Sequence, residues 1–479
     1  MDKKSSIPGK IAAKQETIGE EKNPQKDYRS IDMTAGPIVG PLFKFILPII
    51  FSSLFQQLYN TVDFLFVGNY MDKTAAAAVG ASSTLISCII GLFSGISVGT
   101  SVIAGRAIGA RDYQKASKAL HTSVTFGLVG GAALLILGIF FAPDILQLLR
   151  TPVEVMPQAV LYIRIYLISV PMMVFYNMVS GGMRSYGDSQ TPFRILAICG
   201  FLNVLMDALF IVVIPLGVAG VAIATAITQS FSAILAAYFA SRQNRMIRLE
   251  WKELGIDTKM LGEVLRIGLP TGIQTIIITF SNVMVQYYIN AFGETAVAAF
   301  ATYYKVENII YLPIVGFGQA ATTFSAQNAG AGNYRRLRRG TIITMGLGVA
   351  VTAVIAGLIL CWPRTVFTWF MKDQDVVTNA LRIAMISFPF YWIYPILEVN
   401  GGALRGMGKT LLSMITVVLN MCVLRVALLA IFSRLFHTIE SLGACYPITW
   451  ATAGISFLIL FHILVRKKIE VQEPNRAKM

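Results

Sequence analysis

Histidine is nearly absent from the chain, with three in 479 residues (His121, His437 and His462), each near the end of a different apolar segment. That argues against a histidine-built metal centre. The five cysteines (Cys88, Cys199, Cys361, Cys422, Cys445) lie in apolar segments without metal-like spacing, so they are expected to be buried small side chains. There is no HExxH, no GxSxG at a plausible helix start and no His/Cys cluster, so the chain is not read as an enzyme, and no cofactor is expected. Charge is scarce as well: 14% of residues are charged and 55% hydrophobic, with a mean hydropathy of +0.64, which excludes an ordinary soluble domain. Short alternating stretches are missing, which excludes a transmembrane barrel. The first thirty-odd residues lack an apolar run and carry seven Lys/Arg against six Asp/Glu, so they are expected to form a disordered cytoplasmic tail rather than a cleavable signal.

What is present is hydrophobic length. Apolar runs of about twenty residues recur along nearly the whole chain, each enough to cross a hydrocarbon core of about 30 Å as a helix. About twelve are read, from Phe45–Val67 to Leu442–Val465, which makes the fold all-α: a polytopic membrane protein. Base exceeds acid, 40 Lys+Arg against 25 Asp+Glu, yet the placement of the bases argues against nucleic acid. With loops assigned to alternate sides, 31 bases share one face with both termini. Five lie on the other (Lys73, Arg150, Arg364, Lys372, Arg434) and four within helices (Arg164, Lys305, Arg382, Arg425). The positive-inside rule makes the basic face and both termini cytoplasmic.

The two halves of the chain resemble each other. Leu47-Pro48 recurs as Leu269-Pro270, GARDY ending at Tyr113 as GAGNY ending at Tyr334, ISVP ending at Pro171 as ISFP ending at Pro389, GGMRSYG from Gly181 as GGALRGMG from Gly401, and Leu202-Asn203 as Leu419-Asn420. Each half holds about six helices, an even number, so the halves are a parallel repeat about an axis along the membrane normal, an arrangement suited to alternating access. The expected organisation is a tail (1–36), a six-helix lobe (37–240), a basic, solvated linker (241–260), a second lobe (261–466) and a second tail (467–479).

Ionisable groups inside a membrane are rare and need a return in function or pairing. Four acids qualify: Asp63, Asp207, Glu307 and Glu398. Asp207 lies about 12 Å from the outer end of the fifth helix and Thr225 at a matching depth on the sixth, while Asp63 is about 6 to 10 Å deep on the first and Asn203 sits one turn below Asp207. Two carboxylates, an amide oxygen and a hydroxyl make a cation site. Hard oxygen ligands suit Na⁺, and two close carboxylates in low dielectric favour holding a proton, so H⁺ and Na⁺ both remain open. The rival reading is that Asp207 bonds Asn203 or a neighbouring helix only to specify packing. Gln56, Asn60 and Asp63 share one helical stripe that should face a wet cleft, and Pro48 is a candidate kink. In the second half Arg425 stands beside the position of Asp207, and either Arg425 or Lys305 is expected to neutralise Glu307, a further candidate for the cleft. Glu398 is expected to reach cytoplasmic water. Met172, Met173, Phe175 and Tyr176, at helical spacing, are expected to be packing residues.

GPLFKFILPIIFSSLFQQLYNTVDFLFVGNY, AGRAIGARD, GGMRSYGDSQTPF, LNVLMDALFI and GVAIAT, in this order, resemble the multidrug and toxic compound extrusion (MATE) transporters. The resemblance spans about Gly36–Val465. It implies a V-shaped, two-lobed exporter of the bacterial inner membrane, acting as a monomer, that exchanges Na⁺ or H⁺ for organic cations and other drugs. It carries the family's cation-site residues onto Asp63, Asn203, Asp207 and Thr225 and its kinking proline onto Pro48. An acid found in the seventh helix of one branch is missing from Ile273–Ile289, which points to the branch with its cation site in the first lobe. The near rivals are a lipid-linked sugar flippase or a small-metabolite exporter of the same architecture.

Overall fold

The computed structural model describes residues 31–242 and 247–476. Residues 1–30, most of the expected first tail, part of the linker (243–246) and the last three residues lie outside the described set. Among the described residues twelve helices are long and apolar enough to span a membrane. The first half contains α1 (Val39–Tyr70), α2 (Lys73–Gly109), α3 (Tyr113–Leu148), α4 (Met156–Ser185), α5 (Gln190–Val213) and α6 (Val218–Arg242). The second contains α7 (Thr258–Asn290), α8 (Glu294–Gly330), α9 (Tyr334–Cys361), α10 (Gln374–Gly406), α11 (Thr410–Leu435) and α12 (Ile439–Gln472). In lipid the backbone must satisfy its own hydrogen bonds, which is why long runs of Leu, Ile, Val and Ala settle as helices. Their starts are marked by side chains that accept orphan N–H groups: Asp72 from Ala75, Asp112 from Lys115, Asp257 from Met260 and Asn333 from Arg336. α4 and α10 stop at equivalent places, where Gly187 (φ +87°) and Gly408 (φ +74°) adopt the left-handed conformation.

The turns 110–112, 186–189, 331–333 and 407–409, the described part of the linker, the start of α1 and the end of α12 lie at one end of the bundle, the basal end; the turns 71–72, 149–155, 214–217 and 291–293 lie at the distal end. Each lobe has an apolar core, the first reaching across to Met260, Val264 and Ile267 of α7 and Ala326 of α8, and a smaller third core also joins the lobes, setting Met33, Leu42, Phe45, Ile46 and Ile49 against Phe317, Ala320, Ala321, Phe324 and Val399. The contacts across the repeat are reciprocal. A Cβ on Gly109 would run into Gln327 O, and one on Gly330 into Arg106 O, so only glycine lets α2 and α8 cross this closely. α2 and α7 meet along a second glycine seam, Gly95 and Gly99 against Gly268 and Gly272. Both junctions lie in the basal half. Farther out, Phe55, Gln56, Gln57 and Leu58 are all exposed, although the Phe55 ring still meets Phe193 of α5 at 5.8 Å; α1 is covered there on its α5 side alone, and the cleft opens distally.

Several expectations need correction. By its neighbours, Gly181 (beside Ser97 O) corresponds to Gly402 (beside Gly318 O), one residue beyond the Gly401 with which the sequence repeat aligns it. The described part of the linker is docked rather than solvated: Ile247 and Leu249 are buried, Trp251 stacks on Phe175, and His121 Nε2 accepts the Glu250 N–H at 2.9 Å. Lys118 pairs with Asp257 at 2.6 Å and, with the Met260 N–H, holds that carboxyl below its ordinary range. Glu398 does not reach water freely; it is ion-paired with Arg405 at 2.8 Å, the two side chains 23% and 11% exposed. Cys361 is exposed and Cys88 half-buried, so only Cys199, Cys422 and Cys445 fit the expected burial. α10 holds a 3-10 stretch over Phe388–Ile393, where Pro389 removes a backbone donor.

The segment preceding α1 is tied to the second lobe by three side chains: Gln327 Oε1 accepts the Met33 N–H at 3.0 Å, Asn328 donates to Met33 O at 3.1 Å, and Arg336 reaches furthest along it. Arg336 donates to Met33 O (3.0 Å), Gly36 O (2.8 Å) and Ala35 O (2.8 Å). Replacing it with alanine should loosen residues 35–36, with Met33 still held by Gln327 and Asn328, at a loss of about 2 kcal/mol of local stability, read as faster amide exchange at those two residues with α9 unchanged.

Candidate functional site

A cavity of about 540 Å³ opens into the first lobe, lined by α1, α2, α4, α5 and α6, with Gln319 of α8 at its edge. The polar stripe of α1 faces it as its spacing predicts: Gln56, Asn60 and Asp63 all line the wall. α1 stays helical through Pro48, whose carbonyl accepts the Ser52 hydroxyl at 2.8 Å.

Asp63 faces Asp207 of α5 within hydrogen-bonding range. Two ionised carboxylates have no donor between them. Accordingly Asp63 Oδ1, both oxygens of Asp207 and Asn203 Oδ1 are buried without a protein partner. Asp207 is 0% exposed and Asn203 4%, so neither is satisfied by bulk solvent. Thr225 lines the same cavity; its hydroxyl donates to Val221 O at 3.0 Å, which commits the proton and leaves the oxygen lone pairs free. The Asp207–Asn203 bond of the packing alternative does not form. Four unpartnered oxygens on α1 and α5, joined by the Thr225 hydroxyl oxygen of α6, are what a proton or a hard cation fits.

Asp207 also ends the α-helical part of α5, which continues as a π-helix over Ala208–Val213 with Ile214 N bonded to Leu209 O. The wider turn shifts the phase of the distal residues, and such turns are common at functional sites. In α11 the π stretch is Val418–Leu424, ending where the repeat places the counterpart of Asp207.

The second lobe is built differently. Glu307 does not reach the cavity; it accepts the Tyr391 hydroxyl at 3.0 Å inside an aromatic cluster with Trp450. Its expected partners are engaged elsewhere. Arg425 donates to Thr449 Oγ1 at 3.1 and 3.3 Å and lies 4.7 Å over the Tyr446 ring, while Lys305 is exposed. Among the described residues no ion pair joins Glu307. Contrary to the packing role their spacing suggests, Met173 and Tyr176 line the cavity, whereas Phe175 packs under the linker. Sequence reasoning missed Arg184, which it counted with a loop although its side chain also lines the cavity.

Two six-helix lobes meeting at one end of the membrane, with a polar, acid-bearing cavity in the first, define the class of membrane transporters. The MatE family model matches twice, over residues 48–209 and 270–431, one copy to each lobe. The chain belongs to the MatE family. Relatives include the "Probable multidrug resistance protein YoeA" of Bacillus subtilis, 27% identical over 433 residues, 88% of this chain and 93% of that protein. The "Multidrug export protein MepA" of Staphylococcus aureus is 22% identical over 387 residues, 80% and 85% of the two chains. A crystal structure of MATE in complex with MaL6 superimposes with a TM-score of 0.88 at 20% identity, covering 92% of this chain and 99% of that one, a likeness of fold.

Proposed function

We propose that the protein is an antiporter that exports drugs and organic cations by alternating access in exchange for H⁺ or Na⁺. Asp63, Asn203, Asp207 and Thr225 form the coupling site of this reading, and Gln56 and Asn60 meet the substrate in the cleft. The observation that carries it is the facing pair of carboxyls, whose buried oxygens no protein donor satisfies. The relatives named for multidrug resistance and export support the cargo. The basal bases support a cytoplasmic basal face, with both termini on the cytoplasmic side of a bacterial inner membrane; the protein acts as a monomer.

With both carboxyls ionised, the distal parts of α1 and α5 repel; a cation bound between them removes the repulsion and draws the helices together. Ligands shift a conformational equilibrium only by binding its states unequally. A cation that binds more tightly with the cleft open distally therefore favours the state that releases drug outward. Pro48, where α1 lacks a backbone donor, is where that helix bends. One monovalent cation entering down 100 mV yields about 2.3 kcal/mol and one monovalent drug leaving costs the same, so one-for-one exchange runs on the ion's concentration gradient.

The test is reconstitution in vesicles with a proton or a sodium gradient imposed separately and ethidium flux followed. Flux is expected under at least one of them, and flux under one alone identifies the coupling ion. No flux under either removes this reading.

A further inference from the structure

Arg184 lies at the last turn of α4, where the sequence suggests a loop residue on the basal face. Side chains on a helix lean toward its N-terminus, which for α4 is the distal end, so the guanidinium points back into the lobe and lines the cavity. There it has one protein partner among the described residues, Ser97 Oγ, reached from Nη2 at 3.4 Å. Ser97 gives its own proton to the Asn177 carbonyl, so the hydroxyl accepts from Arg184 with a lone pair. A guanidinium has five N–H donors, and no described carboxylate pairs with this one.

The repeat shows that this is a property of the first lobe alone. Matching Gly181 to Gly402 sets Arg184 against Arg405, Asn177 against Glu398 and Ser97 against Gly318. In the second lobe Arg405 is neutralised by Glu398 at 2.8 Å, and Glu398 fits because residue 318 is glycine: a Cβ there would collide with the carboxylate. In the first lobe the carboxylate is replaced by the amide of Asn177 and its space is taken by the Ser97 hydroxyl. The same arginine is kept without its anion, on the wall of a cavity whose floor also carries Ser94, Ser189 and Gln319.

We infer that Arg184, with Ser97, is an anion subsite in the floor of the transport cavity, and that the protein carries amphiphiles bearing a carboxylate, zwitterions among them, as well as plain cations. This deepens the export reading and rests on it. The subsite is separate from the coupling pair. Tyr162, which stands beside Asp63 and Asp207, and Arg184 are roughly 33 Å apart along α4, so a small molecule held at the floor leaves the coupling carboxyls free for their ion. A planar carboxylate is the natural partner of a guanidinium fork, and Tyr176 beside it offers a ring to an aromatic body.

Two dyes that differ in one group test this: tetramethylrhodamine methyl ester, a cation, and tetramethylrhodamine with its free benzoate, a zwitterion. Wild-type protein in vesicles is expected to transport both. Arg184→Gln should lower transport and binding of the free acid about tenfold or more, and the ester by much less, with Arg184→Lys in between. Retained ester transport doubles as proof that the variant folds. Equal loss of both dyes makes Arg184 structural and overturns the subsite, as does wild-type transport of the ester alone. Transport of neither dye by wild-type protein overturns the export reading itself, and the subsite with it.

Discussion

Asp207→Asn is expected to abolish ion-driven export and to weaken binding of the coupling cation by two to three orders of magnitude. A unit charge about 4 Å from a cation contributes about 4 kcal/mol at an effective dielectric of 20, and each 1.4 kcal/mol is tenfold. Asparagine keeps one carbonyl ligand, which is why the loss stops short of the full three decades. Folding should be spared. Neither oxygen of Asp207 has a hydrogen-bond partner in the protein, so the substitution breaks no protein bond and takes a charge out of a site that is 0% exposed. The thermal midpoint in detergent, without coupling ion, should stay level or rise. Glu307→Gln is the matched control: the amide carbonyl still accepts from Tyr391, and export should fall by no more than a few-fold. The measurements are ethidium flux and ion-dependent thermal shift on both variants. Coupled export surviving in Asp207→Asn and lost in Glu307→Gln would move the coupling site to the second lobe. A large fall in the midpoint of Asp207→Asn with coupling intact would return Asp207 to a packing role.

The sequence makes the helices legible because a bilayer imposes one requirement on all of them, length and apolarity, and composition answers it directly. It makes the acid pair legible for a similar reason. Acids are so rare in these segments that depth along each helix suffices to set Asp63, Asp207 and Thr225 level, and the cavity wall holds Asp63 and Thr225 with Asp207 just behind. Other features depend on rotation about the helix axis, which depth does not give. Glu307 and Arg425 share a lobe yet take separate partners, Tyr391 and Thr449. The π turn after Asp207 has no signature, since ALFIVV contains neither Gly nor Pro. Arg184 sits in a turn motif and reads as a loop base until the backward lean of its side chain is followed into the cavity. The repeat register slips by one residue because GGMR and GGALR differ in length, and only the close approaches of Gly181 and Gly402 fix it.

The glycine seam between α2 and α7 carries the second large prediction. A methyl group on Gly95 would lie 2.1 Å from Gly272 N and 2.4 Å from its Cα; on Gly99 it would lie 2.4 Å from Val264 O; on Gly272, 2.7 Å from Leu92 O. All are backbone atoms, so no rotamer change relieves the clash, and the helices must part by more than 1 Å. Overpacking of this kind costs about 1 to 3 kcal/mol. The seam belongs to the state closed at the basal end and open at the distal end. Gly95→Ala should therefore move the equilibrium away from that state by roughly 30-fold, the equivalent of about 2 kcal/mol, and slow export accordingly. Distances between spin labels at the distal ends of α1 and α7, in a background with the five native cysteines replaced, should shorten. Gly346→Ala on α9 is the control, since a Cβ there meets nothing within 4 Å and alanine favours the helix. It should leave the distances unchanged and raise stability by about 0.5 to 1 kcal/mol. If Gly95→Ala behaved like Gly346→Ala, the two lobes would not be working through this contact, and the basal closure would have to reside in the Gly109 and Gly330 crossing and the small core between α1 and α8.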